Sequence, residues 1–194
     1  CSSGLQGIVT TAQNIMLGDA DYGIGGGVEV MSKGAYMMPA LRNGARMGDT
    51  TALDSMVAVL TDPCGVGHMG ITAENVAKQY AITREMQDAL AFGSQQKAAA
   101  AQDAGRFADE IVGVSIPQRK GDPVVFNVDE YLNRKSTADV LAGLRPAFDK
   151  AGSVTAGNAS GLNDGAAAVV VMSAKKAAAL GLTPLARIAS FATT

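Results

Sequence analysis

Cys1-Ser2-Ser3-Gly4-Leu5-Gln6-Gly7-Ile8-Val9-Thr10-Thr11-Ala12-Gln13-Asn14-Ile15-Met16-Leu17-Gly18-Asp19 sets a thiol directly ahead of an amphipathic helical pattern. Leu5, Ile8, Val9, Ala12, Ile15 and Met16 recur at helical spacing and predict one apolar stripe. Gly18 is the expected stop and Asp19 opens a turn. A cysteine at a helix N-terminus faces unpaired backbone N–H groups and the positive end of the helix dipole. Both favour thiolate, and such surroundings lower a cysteine pKa from about 8.5 towards roughly 3.5–7.5. The plainer alternative for Cys1 is a small buried hydrophobe, the usual state of a free cysteine.

Outward from this helix the chain alternates elements. Residues 21–32 read as a buried strand carrying Gly25-Gly26-Gly27. No G-x-G-x-x-G follows a strand into a helix, so a dinucleotide site is rejected and the glycines are assigned to close packing. Residues 33–62 lose any period, and so long an excursion points to a site or a subunit contact. A short helix is expected over 68–77, and Thr83 caps a long one ending at Gly105. Residues 111–116 and 124–126 read as short strands around the turn Arg119-Lys120-Gly121-Asp122-Pro123. Residues 136–144 suggest a small helix. Residues 166–172 are a continuous apolar run, helix or strand, and 174–180 a helix stopped by Gly181. A last strand is expected from Leu185 to Phe191, running towards Thr194. Helices alternating with buried strands place the chain in the α/β class.

The composition narrows the function. The 194 residues carry a net charge of −2, 47% hydrophobic and 18% charged residues, which is ordinary for a globular protein. No basic block of the nucleic-acid type occurs, and no apolar run is long enough to span a membrane. Cys1 and Cys64 show neither a disulfide framework nor metal-ligand spacing, so no metal is expected and a reducing, cytoplasmic setting fits best. A start at Cys rather than Met reads as a piece of a longer protein.

Six motifs in order resemble the thiolases: Cys1-Ser2-Ser3-Gly4-Leu5, Gly26-Gly27-Val28-Glu29-Val30-Met31-Ser32, His68-Met69-Gly70-Ile71-Thr72-Ala73-Glu74-Asn75-Val76-Ala77, Arg119-Lys120-Gly121-Asp122, Leu144-Arg145-Pro146-Ala147-Phe148 and the glycine-spaced run 154–168. The branch most similar is that of the biosynthetic acetyl-CoA acetyltransferases and β-ketothiolases. The resemblance implies a partial thiolase fold: residues 1–32 as part of the N-terminal core, 33–160 as an inserted loop domain, and 161–194 as a return to that core and the start of a C-terminal domain. It implies Cys1 as the nucleophile that takes an acyl group from acyl-CoA. Leu60, His68 and Met69 would line the pantetheine and acyl pocket, and Arg134, Phe148, Ala156 and Ser160 would hold coenzyme A. Coenzyme A thioesters are then substrates, with no permanently bound cofactor, and the parent is expected to be a homotetramer built as a dimer of dimers.

Each of these assignments has a plainer counterpart. A lone histidine such as His68 is often structural, Phe148 can be core, Arg134 a solvated charge and Asn158 a turn residue. Ser2 departs from the Gly usual after the nucleophile in the biosynthetic branch. The Asn-Glu-Ala-Phe, Gly-His-Pro and Cys-x-Gly-Gly segments of a complete thiolase do not occur in these residues. The 194 residues alone are therefore expected to be inactive. The competing classes are a non-catalytic thiolase-like protein that binds acyl-CoA, and an N-terminal-nucleophile hydrolase using the α-amine of Cys1 as base. Hydrolases of that kind begin a strand with the nucleophile, whereas the period here is helical.

Overall fold

In the computed structural model, which describes residues 1–192, glycine decides how the first elements meet. Helix α1 (Ser3–Leu17) ends at Gly18, whose φ of 85° is left-handed, with the Asp19 N–H returning to the Asn14 carbonyl at 2.9 Å. Strand β1 (Tyr22–Val30) turns back beneath the helix. A Cβ on Gly27 would lie 2.9 Å from Gly4 Cα, and one on Gly25 would lie 2.7 Å from Ile8 Cα. Helix and strand thus touch backbone to backbone, as only residues without side chains permit. The face that α1 packs on the strand carries Gly4, Gly7, Ile8 and Thr11. Leu5 and Met16 of the expected stripe stay exposed, and of that stripe only Ala12 is buried.

These elements belong to a first unit, Cys1–Met56 together with the chain from Leu162 onward. Residues 33–56 group with it rather than with the inserted loop domain that the family resemblance set them in. Residues 31–54 form two 3₁₀ turns (Met31–Lys33 and Pro39–Asn43) and a short antiparallel pair, β2 (Tyr36–Met37) with β3 (Leu53–Asp54). Helix α2 (Ser55–Val59) follows β3.

The apolar run near 170 resolves as strand β8 (Asp164–Met172), antiparallel to β1 from Tyr22↔Met172 to Val30↔Asp164. β-branched residues and a nine-residue partner decide strand over helix here. Asp164 closes the far end: it accepts from the Ser32 N–H at 2.9 Å and from Ser32 Oγ at 2.6 Å, which holds its carboxyl below the usual carboxylate range. Helix α6 (Ala174–Ala179) is capped by Ser173, and Gly181 follows it at φ 67°.

Two expectations need correction. Strand β1 is exposed along most of its length, because among the described residues of its own unit no other element covers its second face. Ile24 and Val28 stand 72% exposed above a trough shared with Ala166, Ala167 and Ala168. The strand expected over 185–191 does not form: among the described residues these find no ladder partner, without which a strand leaves its backbone groups unpaired. The expected run on to Thr194 lies outside the described residues.

The second unit is Val57–Gly161. Its elements are the hairpin β4 (Thr61–Asp62) and β5 (Gly67–His68), helix α3 (Met69–Gln79), helix α4 (Arg84–Asp103), the hairpin β6 (Val114–Ile116) and β7 (Val124–Phe126), and helix α5 (Ala138–Ala142). Thr83 caps α4 as expected, accepting from the Met86 N–H at 3.3 Å. The core is small and partly polar: Ala77, Leu141 and Val154 with Asp88 and Thr155, the last wholly buried. Buried polar groups must be hydrogen-bonded to be tolerated, and here they are, which makes this core a polar lock as much as an oily one.

Candidate active site

Cys1 lies in the first unit, exposed, two residues ahead of α1. Ser2 occupies the N-cap position but its side chain makes no capping bond, and the first turn holds no acidic residue. The first intrahelical bond runs from the Gln6 N–H to the Ser2 carbonyl at 2.9 Å. The N–H groups before Gln6 have no intrahelical acceptor, as at any helix start. Gly4 and Gly7, pressed on β1, fix the helix that carries the thiol.

The remaining residues singled out by resemblance all fall in the second unit. Leu60 and Met69 are joined by the Met69 N–H donating to the Leu60 carbonyl at 2.8 Å, across the β4–β5 hairpin. That hairpin is closed by Asp62, whose carboxylate accepts from the backbone N–H of Val66 at 3.0 Å and of Cys64 at 3.1 Å. Those bonds hold the Asp62 carboxyl below its ordinary value. His68 caps α3: Nδ1 accepts the Gly70 N–H at 3.0 Å, which leaves the proton of the neutral ring on Nε2. Its ring stacks on Phe148 at 4.8 Å and 21°. A Cβ on Gly70 would run into the Phe148 ring, so the glycine after His68-Met69 is what lets the stack form. Leu60, His68, Met69 and Phe148 are therefore one cluster, and His68 is both structural and placed at a surface.

Arg134 stands apart. Its guanidinium forks onto Asp103 at 2.7 and 3.1 Å and onto Gln102 Oε1 at 2.7 Å, tying the chain to the end of α4. The Arg134 hydrogen bonds hold the Asp103 carboxyl below the usual range. An Asp with a depressed folded pKa adds stability above its ordinary value and loses it as pH falls through the folded one. Arg134→Ala is thus expected to return the Asp103 carboxyl to the ordinary range, read by NMR titration of that carboxyl. An unmoved titration would show that Arg134 does not hold it.

Ala156 and Ser160 are placed on an irregular segment whose backbone is held from both sides, and both are exposed. Glu74 of α3 accepts the Ser153 and Val154 N–H groups at 2.9 and 2.8 Å. Asn158 accepts the Thr155 N–H at 2.7 Å and donates to Asp88 at 2.9 Å and to the Ser153 carbonyl at 3.0 Å. Asp88 in turn pairs with Arg84 at 2.7 Å. Sequence reasoning missed Glu74 and Asp88, and left Asn158 as a turn residue. Glu74 stood unremarked inside the 68–77 motif, and Asp88 was a charge at a helical position, which reads equally as a solvated face. Among the described residues no group of side chains is arranged to hold a metal ion, and no helix is long and apolar enough to cross a membrane.

With this geometry in place the comparisons with known proteins are direct. Residues 1–175 match the thiolase N-terminal domain. The chain belongs to the thiolase family. This thiolase chain is 60% identical over 193 residues to an acetyl-CoA acetyltransferase of Cupriavidus necator, covering 99% of the chain and 49% of that protein. It is 54% identical to a β-ketothiolase of the same organism, covering 98% of the chain and 48% of that protein. Among solved structures, the Bacillus anthracis acetyl-CoA acetyltransferase superposes with a TM-score of 0.86 at 48% identity, covering 95% of this chain and 47% of the other. Human mitochondrial 3-ketoacyl-CoA thiolase in complex with CoA does so with a TM-score of 0.84 at 39% identity, covering 95% and 46%. The thiolase chain spans about half the length of the curated relatives it matches, and its fold is a partial thiolase fold.

Proposed function

We propose that the intact protein is a thiolase-type acyltransferase that forms or cleaves 3-ketoacyl-CoA through an acyl group carried on Cys1. The observation that carries this reading is the placement of Cys1 at the uncapped start of α1 within a family match running from residue 1 to 175. Cys1 Sγ, as thiolate, attacks the thioester carbonyl of an acyl-CoA. The tetrahedral oxyanion collapses, the C–S bond to coenzyme A breaks, and the departing CoA thiolate takes up a proton. In condensation a second acetyl-CoA loses its α-proton to a base. The carbanion attacks the acyl carbon, and Cys1 leaves as thiolate. Thiolysis is the same sequence reversed.

The second unit is assigned to coenzyme A. The cluster of Leu60, His68, Met69 and Phe148 offers an apolar wall with a ring N–H for the pantetheine arm. The exposed small residues Ala156 and Ser160 let a ligand approach the backbone, and Arg134 supplies charge for the phosphates. A relative solved with CoA bound supports this assignment. The acid–base segments absent from the sequence mean that residues 1–194 expressed alone are expected to be inactive. We assign the intact protein a homotetrameric assembly and a cytoplasmic location on the same family grounds.

The test is thiolysis by the intact protein: acetoacetyl-CoA and free CoA are supplied and acetyl-CoA is measured. CoA-dependent formation of acetyl-CoA is the expected result. Tight binding of CoA without turnover would replace this reading by that of a non-catalytic acyl-CoA binder.

A further inference from the structure

Residues 153–158 have no regular secondary structure, yet side chains of two helices dictate their path. The Glu74 carboxylate accepts the Ser153 N–H, the Val154 N–H and the Ser153 hydroxyl at 3.1 Å, all within the second unit. The Ser153 hydroxyl in turn accepts from Gln87 Nε2 at 2.8 Å. On the other side Arg84, Asp88 and Asn158 form a chain. Arg84 also donates to the Leu141 and Leu144 carbonyls at 2.6 and 3.0 Å. Glycines make room for both holds: a Cβ on Gly152 would overlap the Glu74 carboxylate, and one on Gly157 would lie 2.5 Å from Leu141 Cδ2 and Leu144 Cδ1. Charge-assisted bonds of this kind are the strong ones, and each is partly shielded from water here. The result is a stiff platform whose Val154 and Thr155 are buried while Ala156, Ala159 and Ser160 face outward.

We infer that Glu74 and Asn158 are positioning residues for coenzyme A: they fix the backbone of 153–158 so that Ala156 and Ser160 meet the ligand without prior ordering. This rests on the assignment of Ala156 and Ser160 to coenzyme A made above. A platform already ordered spares the ligand the entropy of ordering it, so loosening the platform weakens binding more than it slows chemistry.

Glu74→Gln keeps the size of the side chain but replaces one acceptor by a donor facing backbone N–H groups. Asn158→Asp keeps the acceptor for Thr155 but sets a carboxylate against that of Asp88. In the intact protein each variant is expected to raise KM for CoA about tenfold, with kcat at saturating CoA within about twofold of wild type. The Ser153 and Val154 amides should also exchange faster with solvent in Glu74→Gln. A merely structural role would lower the active fraction, and so kcat, without moving KM. Where Glu74→Gln fails to fold, Asn158→Asp decides. Wild-type turnover with KM unchanged in the folded variants overturns the inference alone. Wild-type protein with no CoA-dependent turnover overturns the functional reading and this inference with it.

Discussion

Cys1→Ser in the intact protein is expected to cut thiolysis by roughly 10³-fold or more, with little change in melting temperature or in affinity for CoA. The substitution exchanges one small, exposed side chain for another, so packing loses almost nothing. What changes is the nucleophile. The start of α1 offers N–H groups that no side chain caps and no acidic residue offsets, the kind of setting that in general favours a thiolate over a thiol. The same field falls far short of ionising a serine hydroxyl. The check has two parts: the thiolysis rate, and the mass of the protein after exposure to acetyl-CoA. Wild type should carry one acetyl group on the peptide that contains Cys1, and the variant none. A variant that keeps the wild-type rate would return Cys1 to the status of an ordinary surface thiol and remove the chemical basis for the reading.

How much of this was legible in the sequence depends on which physics each feature uses. Helix ends were legible because they rest on local chemistry: Gly18 adopts the left-handed φ its position called for, and Thr83 caps α4. The hairpin around Gly121 was legible for the same reason. The Gly25-Gly26-Gly27 run was rightly assigned to close packing, but the face of α1 that meets it was not. An apolar-stripe argument looks for large side chains, and this interface is made by their absence. The choice between helix and strand at 166–172 needed the partner strand, which lies well over a hundred residues away in the chain. The strand expected over 185–191 failed for the complementary reason, since a local segment pattern supplies no ladder partner.

The site divides along the same line. Cys1 and His68 announced themselves through residue type and neighbours, within the span of residues 1–175 that matches the family. The hold on 153–158 did not, because Glu74, Asp88 and Asn158 look like any polar residues until the fold brings them onto one stretch of backbone. Arg134 shows the opposite case. The family resemblance gave it to a ligand, and in the structure its guanidinium is engaged by Asp103 and Gln102. Any role at a phosphate would require it to share or exchange those partners.

Gly25→Ala is expected to destabilise the intact protein by about 3 kcal/mol or more, the upper range for overpacking. The added Cβ would lie 2.7 Å from Ile8 Cα, 2.9 Å from Ile8 N and 3.0 Å from the Gly7 carbonyl oxygen. All three are backbone atoms of α1, so no side-chain rotation can relieve the contact. The helix must lift from the strand or the strand must bow, and either motion shifts the helix start that carries Cys1. The loss should therefore appear twice, as a lower denaturation midpoint and as a lower rate in whatever protein remains folded. Gly93→Ala makes the control. Gly93 sits inside α4 with nothing within 4 Å of where the methyl carbon would lie, at a φ that any residue accepts. There the same methyl group should stabilise by roughly 0.5–1 kcal/mol, because alanine loses less backbone freedom in a helix than glycine does. Opposite signs for one chemical change would locate the effect in the contact between α1 and β1 rather than in helix or strand propensity. Equal effects at both positions would mean that the two backbones do not touch as described, and that some other element fixes the helix bearing the thiol.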